Sequence, residues 1–215
     1  MDGGRATLVL GSTNAGKLRE LADLLVPLGI PCRSLADEPH AVEVEETGGS
    51  FAENAALKAT AQARALGAWV LAEDSGLVVD ALGGAPGIYS ARFSGAGATD
   101  AANNALLLER LAHHRGADRG AHYACHAALA DPAGGIVATS AGTCAGRIAS
   151  APSGAGGFGY DPLFVVPEYH RTFGELPPAV KAVISHRARA LRALIPALVR
   201  HLAPQAAAPP AAGAR

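Results

Sequence analysis

The first segment that could carry chemistry runs from Gly11 to Lys17 and reads GSTNAGK. A glycine-containing turn between an apolar strand and a helix aims backbone N–H groups, and the positive end of the helix, at an anion. Lys17 would lie in the first helical turn, where the helix dipole gives a cation no stabilisation. The segment therefore predicts an anion-binding loop, and the alternative is an ordinary capped helix start with a solvated lysine.

A second candidate is the acidic run Glu73-Asp74-Ser75-Gly76, which we expect at the end of a strand over Trp69 to Ala72. Carboxylates at strand ends in open α/β sheets lie where ligands usually bind. Mg²⁺ takes one or two protein carboxylates plus phosphate oxygens, so an adjacent pair could divide metal binding from base catalysis. The pair Glu45-Glu46 could complete the metal site. The alternatives are a polar turn and a solvated acidic loop.

Two later segments could enclose the rest of a ligand. The glycine-rich run from Gly154 to Asp161 brings backbone close to a ligand or to another part of the chain. Within it, Phe158 offers a stacking face for a base and Asp161 an acceptor for a ring N–H. Ser185-His186-Arg187 places cations in the first turn of the last helix, where they need a facing anion or carbonyl. The alternatives are a flexible hairpin loop and a routine helix–helix turn.

The lysines support a shared anionic ligand. Of 18 basic residues only three are lysine, and all three lie in or beside the candidate segments: Lys17, Lys58 and Lys181. Lysine presents a compact, flexible ammonium that arginine does not reproduce. Its placement in a chain that otherwise uses arginine indicates a phosphate clamp.

The elements that must position these residues alternate between strands and helices, which predicts a mixed α/β fold. We expect strands at Ala6–Leu10, Ile30–Leu35, Trp69–Ala72 and Leu77–Val79, and a hairpin over 121–130 and 135–144. We expect helices from Lys17, from Phe51 to Leu66 behind a Ser50 cap, from Thr99 or Asp100 to about Ala112, over Pro178–Ile184, and over His186–Leu202. One domain should span 1–202, followed by a disordered Ala/Pro-rich tail at 203–215.

Composition excludes several classes of function. The formal net charge of -1 gives no global positive field for a polynucleotide or an anionic membrane. No apolar run is long enough to span a bilayer, and no signal-peptide pattern is present. Three widely spaced cysteines argue against a disulfide framework. We therefore expect a soluble cytoplasmic protein.

Taken together, the segments resemble the inosine triphosphate (non-standard purine nucleoside triphosphate) pyrophosphatase family. The matching stretches, in family order, are STNAGK (12–17), EETGGSFAENAALKA (45–59), AEDSGL (72–77), GGAPGIYSARFSG (83–95), GGFGYDPLF (156–164) and SHRARAL (185–191). The chain departs from the family pattern at Glu73, where many bacterial members have Asp, and in the stretch before Lys181, which is less acidic than usual.

The resemblance implies an elongated mixed β-sheet with flanking helices, forming two lobes around a central nucleotide cleft, and a homodimer. It implies Mg²⁺-dependent hydrolysis of ITP, dITP or XTP to the monophosphate and pyrophosphate. Asp74 would be the general base and a Mg²⁺ ligand, with Glu45 as the first choice for the second metal carboxylate and Glu46 less favoured. The triphosphate would be held by Ser12, Thr13, Asn14, Ala15, Gly16, Lys17 and Lys58. Ser75 would touch the substrate, and the base and sugar would be enclosed by Phe158, Gly159, Tyr160, Asp161, Lys181, His186 and Arg187.

Two other functions are compatible with parts of the sequence. A P-loop NTPase or kinase fits the spacing from Gly11 to Lys17, but it requires a Mg²⁺-binding Ser or Thr where Leu18 stands. A nucleotide-binding regulatory module without catalysis is the other possibility. The pair Glu73-Asp74 beside Glu45-Glu46 disfavours such a module.

Overall fold

The computed structural model describes residues 7–202. The predicted tail at 203–215 and the first six residues lie outside this range. The strands are β1 (Leu8–Leu10), β2 (Cys32–Ser34), β3 (Trp69–Val79), β4 (Gly120–Ala130), β5 (Ile136–Ile148), β6 (Phe164–Val166) and β7 (Arg171–Thr172). The α-helices are α1 (Ala15–Leu25), α2 (Phe51–Leu66), α3 (Asp100–Arg110), α4 (Pro178–Ile184) and α5 (His186–Leu202).

All the strands belong to one mixed sheet with the order β2-β1-β3-β4-β5-β6-β7. The short strands β1 and β2 run parallel to each other, and β1 runs parallel to β3. The pairs from β3 to β7 are antiparallel, and β4 and β5 form the predicted hairpin. The predicted mixed α/β fold is confirmed.

One prediction about the sheet was wrong. Trp69–Ala72 and Leu77–Val79 are not separate strands with a polar turn between them, because β3 runs unbroken from Trp69 to Val79. Its pairing with β4 continues through Glu73, Asp74 and Ser75. However, β1 pairs with β3 only as far as Leu71. The acidic run thus follows the end of β1, and its edge away from β4 is open to a cleft.

The hydrophobic core divides where β3 carries its polar residues. Leu71 packs with α1 and α5 in one cluster, and Ala72 packs with α2 in a second cluster on the opposite face of the sheet. Beyond the acidic run, Leu77 and Val79 belong to a third cluster with residues of α3, β5 and β6. The two lobes implied by the resemblance correspond to these two ends of β3, and Glu73 to Gly76 lie between them.

Local capping fixes the helices that border the cleft. The Asn14 side chain accepts a hydrogen bond from the backbone N–H of Lys17 at 3.0 Å and so begins α1. Ser50 caps α2 by accepting from the N–H of Glu53 at 3.2 Å, while the Glu53 carboxylate accepts from Gly49. This arrangement is a variant of the predicted capping box, because Glu53 accepts from the N–H of Gly49 rather than from that of the N-cap residue Ser50. Among the described residues, no helix is both long and apolar enough to cross a membrane.

Candidate functional site

The cleft contains a cavity of about 240 Å³ between the two lobes. Most of the residues predicted to contact a nucleotide line it: Asn14, Lys17, Asp74, Ser75, Phe158, Gly159, Tyr160, Asp161, Lys181, His186 and Arg187. The cavity also has a wall from the segment Ile88 to Ala91. Of the remaining predicted residues, Thr13 and Ala15 are exposed at the start of α1, and Ser12 is partly buried beside them.

Asp74 is fixed from the α2 side of the sheet. Its Oδ1 lies 3.2 Å from the Lys58 ammonium, and its Oδ2 accepts a hydrogen bond from the Asn54 amide at 3.2 Å. Burial raises the pKa of Asp74, although Lys58 and Lys17 oppose the rise. A carboxylate with a raised pKa is a stronger base when ionised, so this geometry suits Asp74 for proton abstraction.

Glu73 points to the other face of the sheet, and its pKa is shifted in the direction opposite to that of Asp74. Its carboxylate lies 3.1 Å from the Lys17 ammonium and 3.4 Å from the Arg187 guanidinium. Burial disfavours the charge, but Arg187, Lys17 and Lys58 hold the pKa of Glu73 well below its ordinary value. Two adjacent carboxylates with pKa values pushed in opposite directions are a pattern that separates a base from a fixed anion.

The acidic pair at 45–46 is not equally placed. Glu46 lines the cavity and lies 2.7 Å from the Lys58 ammonium, whereas Glu45 is exposed. Lys58 therefore bridges Glu46 and Asp74. Burial alone would raise the pKa of Glu46, but Lys58 lowers it. The same two carboxylates raise the pKa of Lys58 despite its burial. The geometry favours Glu46, the residue ranked second from the sequence, as the partner of Asp74.

The opposite end of the cavity is aromatic and cationic. The Lys181 ammonium lies 4.6 Å from the centre of the Phe158 ring, and the Arg187 guanidinium 5.8 Å from it. Lys181 pairs with Asp161 and, at 2.8 Å, with Glu20 of α1. Burial raises the pKa of Asp161, against the effect of Lys181. This end can hold a flat ring with donors and acceptors at its edges.

His186 and Arg187 form the floor of the aromatic end. The His186 ring stacks on Tyr123 with a centroid distance of 4.6 Å. Burial, together with the nearby Arg187 charge, holds the pKa of His186 well below its ordinary value, so the ring is neutral. Arg187 donates to Ser75 Oγ at 2.9 Å and pairs with both Glu20 and Glu73. Its exposed fraction is only 2%.

Gly16 is required by the aromatic end. A side-chain Cβ at this position would lie 2.7 Å from the Phe158 ring, closer than such atoms approach. Phe158 thus packs directly against the start of α1. A second cavity of about 340 Å³ lies behind this contact, between Gly16, Glu20, Phe158 and Lys181.

Helix α3 holds the loop that carries Phe158. The Asp100 carboxylate accepts from the N–H of Gly159 at 2.7 Å, and the Asn104 amide donates to the carbonyl of the same glycine at 3.0 Å. Asp100 and Asn104 are four residues apart and therefore share a helix face. The hydroxyl of Tyr160 donates to the Ser90 carbonyl at 2.8 Å. These three bonds connect the loop to the lobe formed by α3.

Sequence reasoning missed several residues of the site: Glu20, Asn54, Asp100, Asn104 and Tyr123. One signal was present for Asn54. Asn54, Lys58 and Gln62 recur every fourth residue on α2, beside the buried stripe Ala55, Ala59 and Ala63. A polar stripe next to an apolar one predicts buried polar contacts. The others depend on contacts between distant segments and carry no local pattern.

The fold and the site together define a mixed α/β protein with a cleft lined by lysines, carboxylates and an aromatic ring. Comparison with known proteins gives its family. The chain belongs to the Ham1 family, whose model matches residues 8–197. This membership confirms the resemblance seen in the sequence.

Similar relatives and solved structures cover most of the chain. The dITP/XTP pyrophosphatase of Rhodopirellula baltica is 54% identical over 90% of this chain and 93% of its own length. The dITP/XTP pyrophosphatase of Geobacillus kaustophilus is 51% identical over 87% of this chain and 91% of its own. A HAM1 protein from Coxiella burnetii has a TM-score of 0.82 at 40% identity and is aligned over 91% of this chain and 99% of its own. A nucleoside-triphosphatase / dITP/XTP pyrophosphatase from Mycobacterium abscessus has a TM-score of 0.71 at 45% identity, over 89% of this chain and 99% of its own.

Proposed function

We propose that this chain hydrolyses non-standard purine nucleoside triphosphates, such as ITP, dITP and XTP, to the monophosphate and pyrophosphate, and so cleanses the nucleotide pool. The observation that carries the proposal is the position of Lys58. Its ammonium lies 3.2 Å from Asp74 and 2.7 Å from Glu46, and these two carboxylates line the same cavity as the Phe158 ring. The names of the relatives, dITP/XTP pyrophosphatases, support the same reaction.

The residues divide the reaction between them. Asp74, ionised, takes the proton of a water molecule that attacks the α-phosphorus. Lys17 and Lys58 stabilise the charge that builds on the leaving pyrophosphate. The backbone N–H groups of Thr13 and Ala15, two exposed residues at the start of α1, bind phosphate oxygens. General-base help of this kind contributes a rate enhancement of roughly 10²- to 10⁴-fold.

The carboxylates fit Mg²⁺. No cluster of three or more His, Cys, Asp or Glu residues suitable for a metal occurs within residues 7–202. Mg²⁺ does not need one, because it commonly uses one or two carboxylates and completes its shell with phosphate oxygens and water. Asp74 and Glu46 both contact Lys58 and would hold the ion, with Glu45 as the alternative to Glu46. When bound, the ion neutralises charge on the phosphates.

Selectivity for a 6-oxo purine follows from the donors at the aromatic end. Arg187 carries N–H donors and no acceptor, so it favours a carbonyl oxygen at position 6 of the purine over an amino group there. The Phe158 ring supplies a stacking face, and Asp161 accepts from a ring N–H. An adenine amino group is itself a donor, so it would face Arg187 without forming a hydrogen bond to it, whereas the 6-oxo group accepts one.

The proposal extends to a homodimer, as the resemblance implies, and to the cytoplasm, as the composition of the chain led us to expect. Cys32, Cys125 and Cys144 are free thiols, which is the usual state in a reducing compartment. Sedimentation analysis of the purified chain checks the dimer.

The decisive experiment identifies the phosphate product. The protein is incubated with ITP, XTP or ATP, with Mg²⁺ or with a chelator, and the products are separated. We expect monophosphate and pyrophosphate from ITP and XTP in the presence of Mg²⁺, with little turnover of ATP. Release of orthophosphate would favour the P-loop type of reaction, and binding without turnover would favour a regulatory module.

A further inference from the structure

We propose that Asn54 is a positioning residue that aligns Asp74 with the acidic segment, defined here as residues 45–49. The inference rests on the proposed function, because it concerns the same reaction. Asn54 is completely buried, and its two amide atoms contact two different parts of the site. Asn54 would therefore act on the reaction indirectly, by orienting Asp74 and the acidic segment.

The Asn54 amide connects the two parts directly. Its Nδ2 donates to Asp74 Oδ2 at 3.2 Å, and its Oδ1 accepts from the backbone N–H of Gly48 at 2.8 Å. Because Lys58 contacts the other oxygen of Asp74, both oxygens of this carboxylate have a fixed partner. The carboxylate plane is therefore set by α2.

The acidic segment depends on the same helix. A Cβ at Gly48 would lie 2.6 Å from Asn54 Oδ1, so only glycine permits this approach. The next residue, Gly49, donates to the Glu53 carboxylate at 2.7 Å. Two adjacent backbone N–H groups are thus held by the first turn of α2. Glu46, two residues before Gly48, is positioned with them.

Only an amide can make both contacts without adding charge. A carboxylate at position 54 would still accept from Gly48 but would repel Asp74, and a leucine would leave the Gly48 N–H unpaired. Groups that orient a metal-binding or catalytic carboxylate typically change affinity or activity by 10- to 100-fold when removed. We expect an effect of this size at Asn54.

Gln62 provides a matched control on the same helix. It is also buried, and its amide accepts from the backbone N–H of Val42 at 3.1 Å and donates to the Val42 carbonyl. It therefore joins α2 to a nearby loop as Asn54 does, but it makes no hydrogen bond to Asp74. A purely structural role for Asn54 predicts the same behaviour for both positions.

The test compares Asn54→Leu, Asn54→Asp and Gln62→Leu. Steady-state pyrophosphate release gives kcat and KM, calorimetric titration with Mn²⁺ in the absence of nucleotide gives metal affinity, and urea unfolding gives stability. We expect kcat to fall about 10- to 100-fold in both Asn54 variants, with Mn²⁺ affinity altered in both. Gln62→Leu should lose stability while its kcat and Mn²⁺ affinity stay within about twofold of the wild type.

Two outcomes would overturn the proposal. If Asn54→Asp, which keeps the shape of the side chain and the Gly48 contact, retains wild-type kcat and Mn²⁺ affinity, the bond to Asp74 has no positioning role. If Gln62→Leu loses kcat as much as the Asn54 variants, the effect is general destabilisation. An inactive wild type would instead overturn the proposed function, which separates the two failures.

Discussion

The Lys17 ammonium lies 3.1 Å from the Glu73 carboxylate and joins the first loop to the centre of β3. Arg187 contacts the same carboxylate from α5. Glu73 thereby fixes two cations that come from opposite ends of the chain. Its neighbour Asp74 faces α2 and is left to interact with Lys58 and Asn54. Adjacent positions on one strand thus serve different purposes because their side chains point to opposite faces of the sheet.

The first prediction concerns Asp74. Replacing it in the variant Asp74→Asn removes the base but keeps the size of the side chain, so turnover should fall by roughly 10²- to 10⁴-fold. Nucleotide binding should largely persist, because the lysines and the aromatic end are unchanged. Pyrophosphate release and equilibrium binding of ITP measure the two effects, and near-wild-type release would refute the assignment.

Gly16→Ala should weaken nucleotide binding without unfolding the protein. The new methyl group must displace the Phe158 ring, which a Cβ would approach to 2.7 Å. A displacement of about 1 Å in a binding group can cost up to 10²-fold, so we expect KM for ITP to rise between ten- and a hundred-fold. Alanine favours the helix, which offsets part of the destabilisation. Gly49→Ala, where a Cβ meets only the Glu53 carboxylate at 3.7 Å, should leave KM nearly unchanged.

Loss of the hydrogen bonds between α3 and Gly159 should raise the KM for the substrate. Asp100→Ala and Asn104→Ala each remove one hydrogen bond to this glycine, and we expect KM to rise about five- to tenfold for each. Because both act on one residue, the double variant should show less than the summed effect. Glu109→Ala, an exposed change near the other end of α3, is the control. Additive effects of the two substitutions would contradict a shared role.

The lowered pKa of His186 should make the free energy of unfolding depend on pH. Its pKa is lowered in the folded protein, so below pH 6.5 the unfolded chain binds a proton that the folded chain does not. The free energy of unfolding should therefore decrease as the pH falls below 6.5, by up to about 1.4 kcal/mol per pH unit. His186→Phe keeps an aromatic ring against Tyr123 but cannot titrate. Urea unfolding across this range should give a flatter curve for the variant, and identical curves would refute the explanation.

Much of the fold followed from periodicity and capping. Helix α2 was predictable because Ser50 and Glu53 have the spacing of a capping box ahead of an alanine-rich run. The continuous strand β3 was not, because Glu73-Asp74-Ser75-Gly76 has the composition of a turn. These residues stay in the strand because β4 pairs with them and cations satisfy the buried carboxylates. Strands β6 and β7, with three and two residues, are too short to give a periodic signal.

The site was predictable in its segments but less so in its contacts. Lysine placement pointed to three residues, of which Lys17 and Lys181 line the cavity and Lys58 contacts the cavity residue Asp74. Choosing between Glu45 and Glu46 required the loop conformation, which depends on the Gly48 contact to Asn54. The ion pairs of Glu20 with Lys181 and Arg187 join residues more than 150 positions apart in sequence. Such contacts arise from tertiary structure alone.

The ion pairs inside the cleft also affect product release. Lys17 and Lys58, the two cations that face the phosphates in the proposed reaction, each already have an acidic partner within the protein. An incoming polyanion must compete with those partners, and it does so better the more negative charges it brings to the cleft at once. A triphosphate can win that competition, whereas the shorter monophosphate left after cleavage carries less charge. We therefore expect the ion pairs between these carboxylates and cations to form again after each turnover, which favours dissociation of the monophosphate.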